Sequence, residues 1–115
     1  LNSKEEQLLD QADSDAFSLY KSKSDFGVGF GFGLFFNLFG LIPDVVYVAV
    51  NSENEKETIS EIVNDSTYAH LDKKVIEKEI KPEIKSKKCA ATIGGTVVGS
   101  LTQLVIAAVL VIVTF

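Results

Sequence analysis

The sequence predicts an all-α membrane protein: two transmembrane helices forming a hairpin, an amphipathic N-terminal helix and a helical polar connection. Three observations predict it. Residues 26–50 form an apolar run with a single ionisable group, Asp44. Residues 89–115 form a second apolar run with no charge at all. Nearly all charge is confined to residues 1–25 and 51–88. A helix of about 20 apolar residues crosses a bilayer, and both runs reach that length. A soluble domain of 115 residues would instead interleave polar and apolar positions with a period of 2 or 3.6. The expected divisions are a polar amphipathic segment 1–25, a first span 26–50, a polar helical connection 51–88 and a second span 89–115.

In the first segment, Leu8, Leu9, Ala12, Ala16, Leu19 and Tyr20 recur at helical spacing, with Ser3 and Glu6 placed as a capping box. The opposite face is acidic, with Asp10, Asp13 and Asp15. Anionic lipid repels such a face, so a protein partner is expected for it. With no Met in the sequence, the chain is expected to start after processing or to be part of a longer product.

The first span carries alternating glycines, Gly27, Gly29, Gly31 and Gly33. A lone strand cannot satisfy its backbone in hydrocarbon, so a helix is expected, kinked or ended by Pro43. On that helix Gly29, Gly33, Asn37, Gly40 and Asp44 share one face, and Phe32, Phe35, Phe36 and Phe39 lie opposite. Small residues let membrane helices approach closely, and polar side chains bond across the contact.

The connection offers a capping box at Ser52 and Glu55, apolar positions Ile59, Ile62 and Val63, and a second amphipathic stretch from Leu71 to Ile84, interrupted at Pro82. Two short helices are expected, joined near residues 65–68. In the second span, Ala91, Gly95, Gly99 and Gln103 fall four apart. An antiparallel hairpin sets Asn37 level with Gln103, Asp44 with Thr96, Gly40 with Ser100 and Gly33 with Ala107. The helix-packing face is therefore expected to comprise Gly29, Gly33, Asn37, Gly40, Gly95, Gly99 and Gln103, with Asn37 hydrogen-bonded to Gln103.

Eight lysines in the connection against three before the first span place the connection on the cytoplasmic side and both termini opposite. Asp44, as an intramembrane carboxylate, is a candidate for an ion or proton role, or an interfacial packing group. Cys89, at a span boundary, is a candidate for S-palmitoylation.

Other chemistry is excluded or unsupported. A single Cys rules out an internal disulfide and a Cys-based zinc site. His70 is the lone histidine, so no metal or cofactor is expected. The net charge of −5, with no Arg, excludes a nucleic-acid footprint. The run Gly27 to Gly33 looks like the alternating-glycine helix of rotary ATP synthase c-subunits, but that family needs a carboxylate where the second span has Gln103. The order of segments resembles conjugative pilins in layout only. The chain thus reads as a non-catalytic structural or accessory subunit of a membrane assembly, with membrane lipid and other subunits or copies of itself as partners. The alternatives are a self-assembling envelope, coat or pilus-type subunit, and a small channel or membrane-perturbing protein.

Overall fold

A computed structural model describes residues 3–115. It is all-helical among those residues: α1 (Ser3–Leu19), α2 (Lys23–Phe36), a 3-10 turn (Asn37–Gly40), α3 (Leu41–Ala49), α4 (Glu53–Val63), a short 3-10 turn (Ser66–Tyr68) and α5 (Lys73–Thr114). The chain divides into two compact units. Residues up to 21 and 51–87 make the first, and residues 22–50 and 88–115 make the second. Two helical stretches, within Lys23–Val63 and Lys73–Thr114, are long and apolar enough to cross a membrane by length and composition.

The first unit packs as amphipathic helices do in water. Its core is Leu9, Ala12, Ala16 and Tyr20 from α1 and its end, Ile62 from α4, Tyr68, and Ile76, Ile80 and Ile84 from α5. Each helix contributes one stripe at three- or four-residue spacing, which burial against the other stripes removes from water. Polar contacts finish the helix ends. Ser52 and Glu55 form a reciprocal capping box at the start of α4, with Ser52 N–H donating to Glu55 Oε1 at 3.1 Å. Lys87 Nζ donates to the carbonyls of Phe17 and Tyr20, where the last turn of α1 leaves oxygens without helical partners. Tyr68 donates its hydroxyl to Asp15, and Lys85 pairs with the buried Glu55 at 2.9 Å. Pro82 stands inside α5 without breaking it and is exposed there, so its ring meets solvent.

This unit corrects the expected sidedness. The N-terminal helix and the connection share one hydrophobic core, so they cannot lie on opposite sides of a membrane. Charge counting missed this because it treats segments as independent.

The second unit corrects the expected helix count. Residues 26–50 are not one helix. Helix α2 ends at Asn37, whose φ of 56° is the only positive value among the described non-glycine residues. Asn is one of the few side chains that tolerates this region. Its backbone N–H closes on the Gly33 carbonyl, and its own Oδ1 accepts the Leu38 N–H at 2.8 Å. The chain then turns through 37–40 and returns as α3. Pro43 sits in the first turn of α3, where a missing N–H costs nothing; it neither kinks nor ends α2.

The pairing with α5 fixes the directions. Gly29 faces Thr92 and Thr96, Gly33 faces Thr96 and Ser100, and Asn37 meets Gln103. Residue numbers rise together, so α2 runs parallel to α5. On the return, Asp44 meets Thr96 and Val50 meets Lys88. The numbers now run oppositely, so α3 is antiparallel to α5. The first apolar run is therefore a helical hairpin laid along the first part of the second run. Both of its ends lie at the level of Lys88, and its tip lies at the level of Gln103.

Candidate functional site

The second unit has a polar interior. Its buried residues are Asp25 and Asp44 (each 2% exposed), Lys88, Thr92, Thr96 and Ser100, with Gly29, Gly33, Gly40, Gly95 and Gly99. Its large apolar side chains point outward: Phe35 is 77% exposed, Phe39 76%, Val45 71% and Ile112 77%.

The glycines permit backbone-to-backbone contact. A Cβ at Gly29 would stand 1.9 Å from the Thr92 carbonyl oxygen, and one at Gly33 2.1 Å from that of Thr96. Reciprocally, a Cβ at Gly95 would stand 2.1 Å from the Phe26 carbonyl oxygen and one at Gly99 2.2 Å from that of Phe30. Gly40 plays a different part: its open side meets the Phe32 carbonyl across the hairpin turn, not α5. Gly33 lies beside Thr96 and Ser100, not Ala107, because α2 runs parallel to α5.

Along α5 the polar side chains of this face are four or three apart: Lys88, Thr92, Thr96 and Ser100 are buried and Gln103 is half-buried. Thr92 Oγ1 donates to the Lys88 carbonyl at 2.8 Å, which ties that side chain to its own helix. The hairpin meets this stripe at three levels. At its tip Asn37 Nδ2 donates to Gln103 Oε1. Midway, Thr96 and the Asp44 carboxyl share a hydrogen bond. At its open end Tyr47 donates to Asp25, and Lys88 Nζ donates to the Val50 carbonyl at 2.6 Å while lying 4.6 Å from the centre of the Tyr47 ring. Asp44 Oδ1 and Ser100 Oγ are buried without a hydrogen-bond partner.

Three levels of polar contact over a glycine seam make a clamp that holds the hairpin to α5. Among the described residues no three His, Cys, Asp or Glu side chains group as a metal site, and His70 is exposed in the other unit. Cys89 carries a free, half-buried thiol next to Lys88.

Sequence reasoning brought Asn37, Gln103, Asp44 and Thr96 to attention but missed Asp25, Tyr47, Lys88 and Thr92. Asp25 and Lys88 flank the apolar runs, and a boundary charge reads as solvated. The available signal was the four-residue spacing of Lys88, Thr92, Thr96 and Ser100.

A second polar cluster lies in the first unit. Burial pushes the Asp13 carboxyl up from its ordinary 3.8 to about 7, helped by a hydrogen bond with Glu79 and by the charges of Glu79, Glu83 and Asp10. Burial and the bond to Asp15 likewise raise the Tyr68 hydroxyl. Comparison of the chain with protein families, with curated proteins and with solved structures finds no match in any of the three.

Proposed function

We propose that this chain is a non-catalytic integral membrane protein, with its second unit embedded in the bilayer and its first unit in water beside it. The single observation that carries the reading is the inversion of polarity between the units. The first buries mainly Ile, Leu, Ala and Tyr, with Glu55 and Thr58 as its buried polar residues, and the second buries Gly, Thr, Asp and Lys while exposing Phe, Val, Leu and Ile. Water rewards the first arrangement and penalises the second. Hydrocarbon supports the second, because apolar side chains lose nothing there and buried polar groups hydrogen-bond to one another.

The dimensions fit. From Lys88 to Thr114, α5 extends about 40 Å, enough to cross a hydrocarbon core of about 30 Å. Helix α2, at 14 residues, extends about 21 Å, so the hairpin enters and returns without crossing. Its turn is suited to that medium, because Asn37 satisfies the Leu38 N–H and donates to Gln103. The three chain crossings between the units, at 21–22, 50–51 and 87–88, all lie at the open end of the hairpin. On this reading the open end of the hairpin lies at one membrane face and the end of α5 at the other.

The role that suits this architecture is that of a structural or accessory subunit of a membrane assembly. Conduction by a single copy has no support, since the polar stripe ends at Gln103 and residues 104–113 are uniformly apolar.

Alkaline carbonate extraction together with impermeant maleimide labelling tests the reading, in a Cys89→Ser background. The protein should stay with the membrane. Ser14→Cys and Ser60→Cys should label from one side and Phe115→Cys from the other. Release by carbonate, or labelling of Ser14→Cys and Ser60→Cys from opposite sides, overturns it. Gentle detergent extraction and mass measurement then identify whether the complex holds other subunits or only copies of this chain.

A further inference from the structure

The second unit is unequal along its length. Between the levels of Lys88 and Gln103 it contains three helical segments side by side: α2, α3 and α5. Beyond Gln103 only α5 continues, and its side chains from Leu104 onward are all exposed. The two arms of the hairpin are matched. Helix α2 has 14 residues, and the return arm is a 3-10 turn of 4 followed by a helix of 9. At rises of about 2.0 and 1.5 Å per residue both arms come to about 21 Å. The hydrogen bonds from Tyr47 to Asp25 and from Lys88 to Val50 keep their open ends level.

We infer that this unit acts as a wedge in one leaflet and that the protein's preferred partner is a strongly curved lipid surface, convex on the side of the hairpin's open end. The inference rests on the membrane reading above. In a hydrocarbon core of about 30 Å, the three-helix part fills the near leaflet and reaches about 6 Å past the midplane, so that most of the far leaflet contains α5 alone. A helix is about 10 Å across, so the near leaflet holds on the order of 160 Å² more protein cross-section than the far one. A flat bilayer must compensate for that excess. A convex near leaflet has the additional area already, so the protein partitions towards it.

The seam argues that the wedge is rigid. Gly29, Gly33, Gly95 and Gly99 bring α2 and α5 into backbone contact, and the contacts of Asn37 and Asp44 fasten the tip and the middle of the hairpin to the same helix. The aromatic side chains at the tip, Phe35, Phe36 and Phe39, are exposed and add bulk at the deepest point.

The test reconstitutes the full chain, at low density, into phosphatidylcholine vesicles extruded to a series of diameters. The Cys89→Ser, Ser14→Cys protein carries one dye, and an impermeant quencher separates molecules with the first unit outside from those with it inside. Protein per unit lipid area is read vesicle by vesicle. The expected result is a several-fold enrichment of outward-facing molecules on the smallest vesicles and a matching depletion of inward-facing ones. Carbonate-resistant protein whose density is independent of diameter in both orientations overturns the wedge and leaves the membrane reading standing. Protein that carbonate releases from every vesicle overturns both. Enrichment of both orientations on small vesicles also overturns it, because packing defects, not leaflet asymmetry, would then drive sorting.

Discussion

Replacing Gly33 by Ala places a methyl group 2.1 Å from the Thr96 carbonyl oxygen and 2.8 Å from the Ser100 nitrogen, where ordinary contact begins at 3.4 Å. Both neighbours are backbone atoms of α5, so no side-chain rotation relieves the clash. The two helices must separate by roughly 1 Å, and such overpacking costs about 1–3 kcal/mol. Against this, Ala in a helix is favoured over Gly by about 0.5–1 kcal/mol. The net expectation is a loss of about 1–2 kcal/mol for Gly33→Ala, and the same for Gly29, Gly95 and Gly99, whose nearest backbone oxygens lie at 1.9, 2.1 and 2.2 Å. Gly27, Gly31 and Gly94 supply the control. A Cβ at these positions meets nothing within 4 Å, so Ala there should stabilise by its helix preference alone, about 0.5–1 kcal/mol. The assay is unfolding of the full chain in mixed micelles by increasing dodecyl sulfate, followed by circular dichroism and by protease sensitivity at the hairpin. The two sets should move the midpoint in opposite directions. Equal shifts in both sets would falsify the close contact between α2 and α5, and with it the parallel arrangement.

The remaining predictions concern the polar contacts of the two units. Asn37→Leu and Gln103→Leu should each cost about 0.6–2 kcal/mol in the same micelle assay, and a double-mutant cycle should return a coupling of that order. Asp44 has one hydrogen-bond contact among the described residues, with Thr96; Asp44→Asn should therefore preserve the fold and, in a glycosylation-based insertion reporter, ease insertion by only part of the about 2.5–3.5 kcal/mol that an Asp costs on translocon scales, because Asn is polar too. In the first unit, Ser52→Ala removes the capping box and should lower stability by about 1 kcal/mol in thermal unfolding. Asp13 titrates at about 7 when folded against 3.8 ordinarily, so the folded chain holds the proton more tightly. The stability it contributes is complete below about pH 3.8 and is lost as pH rises through about 7. Asp13→Asn should flatten that slope and stabilise the unit above pH 7 by on the order of 1–2 kcal/mol, well below the unscreened value because the side chain is partly exposed.

The parts of the fold legible in the sequence are those set by local pattern in water. Ser52 and Glu55 announce a helix start, and Ile76, Ile80 and Ile84 announce a buried face; each occurs where its spacing says. The hairpin was not legible, because hydropathy measures apolar length and carries no direction. Residues 26–50 are long enough for a span, and Pro43 draws attention as the breaker. The actual break lies six residues earlier, where Asn37 adopts a positive φ and satisfies its own turn. The contact between Asn37 and Gln103 shows how a right pair can follow from a wrong geometry. It was expected from two antiparallel spans meeting at their centres. It forms because a parallel helix ends at Gln103 and turns back there.

Helix α5 shows how one structural rule serves both units. Its buried positions Ile76, Ile80, Ile84, Lys88, Thr92, Thr96 and Ser100 are four apart throughout, and none exceeds 4% exposure. The geometry of burial does not change along this series, but its chemistry does, from isoleucine to lysine and then to small hydroxylated residues. The change falls at Lys88, the first residue of α5 that belongs to the second unit. In water an apolar stripe is the one worth burying. In hydrocarbon an apolar stripe is matched by lipid, and only small and hydrogen-bonding residues make a helix prefer protein to its surroundings. The switch at Lys88 is the change that the proposed membrane boundary at this residue calls for. The same residue occupies the boundary in a way that suits both media, with its ammonium on the Val50 carbonyl and its position over the Tyr47 ring at the open end of the hairpin. Entry into a membrane at Lys88, as proposed, accounts for a change of chemistry along a continuous buried face at one residue.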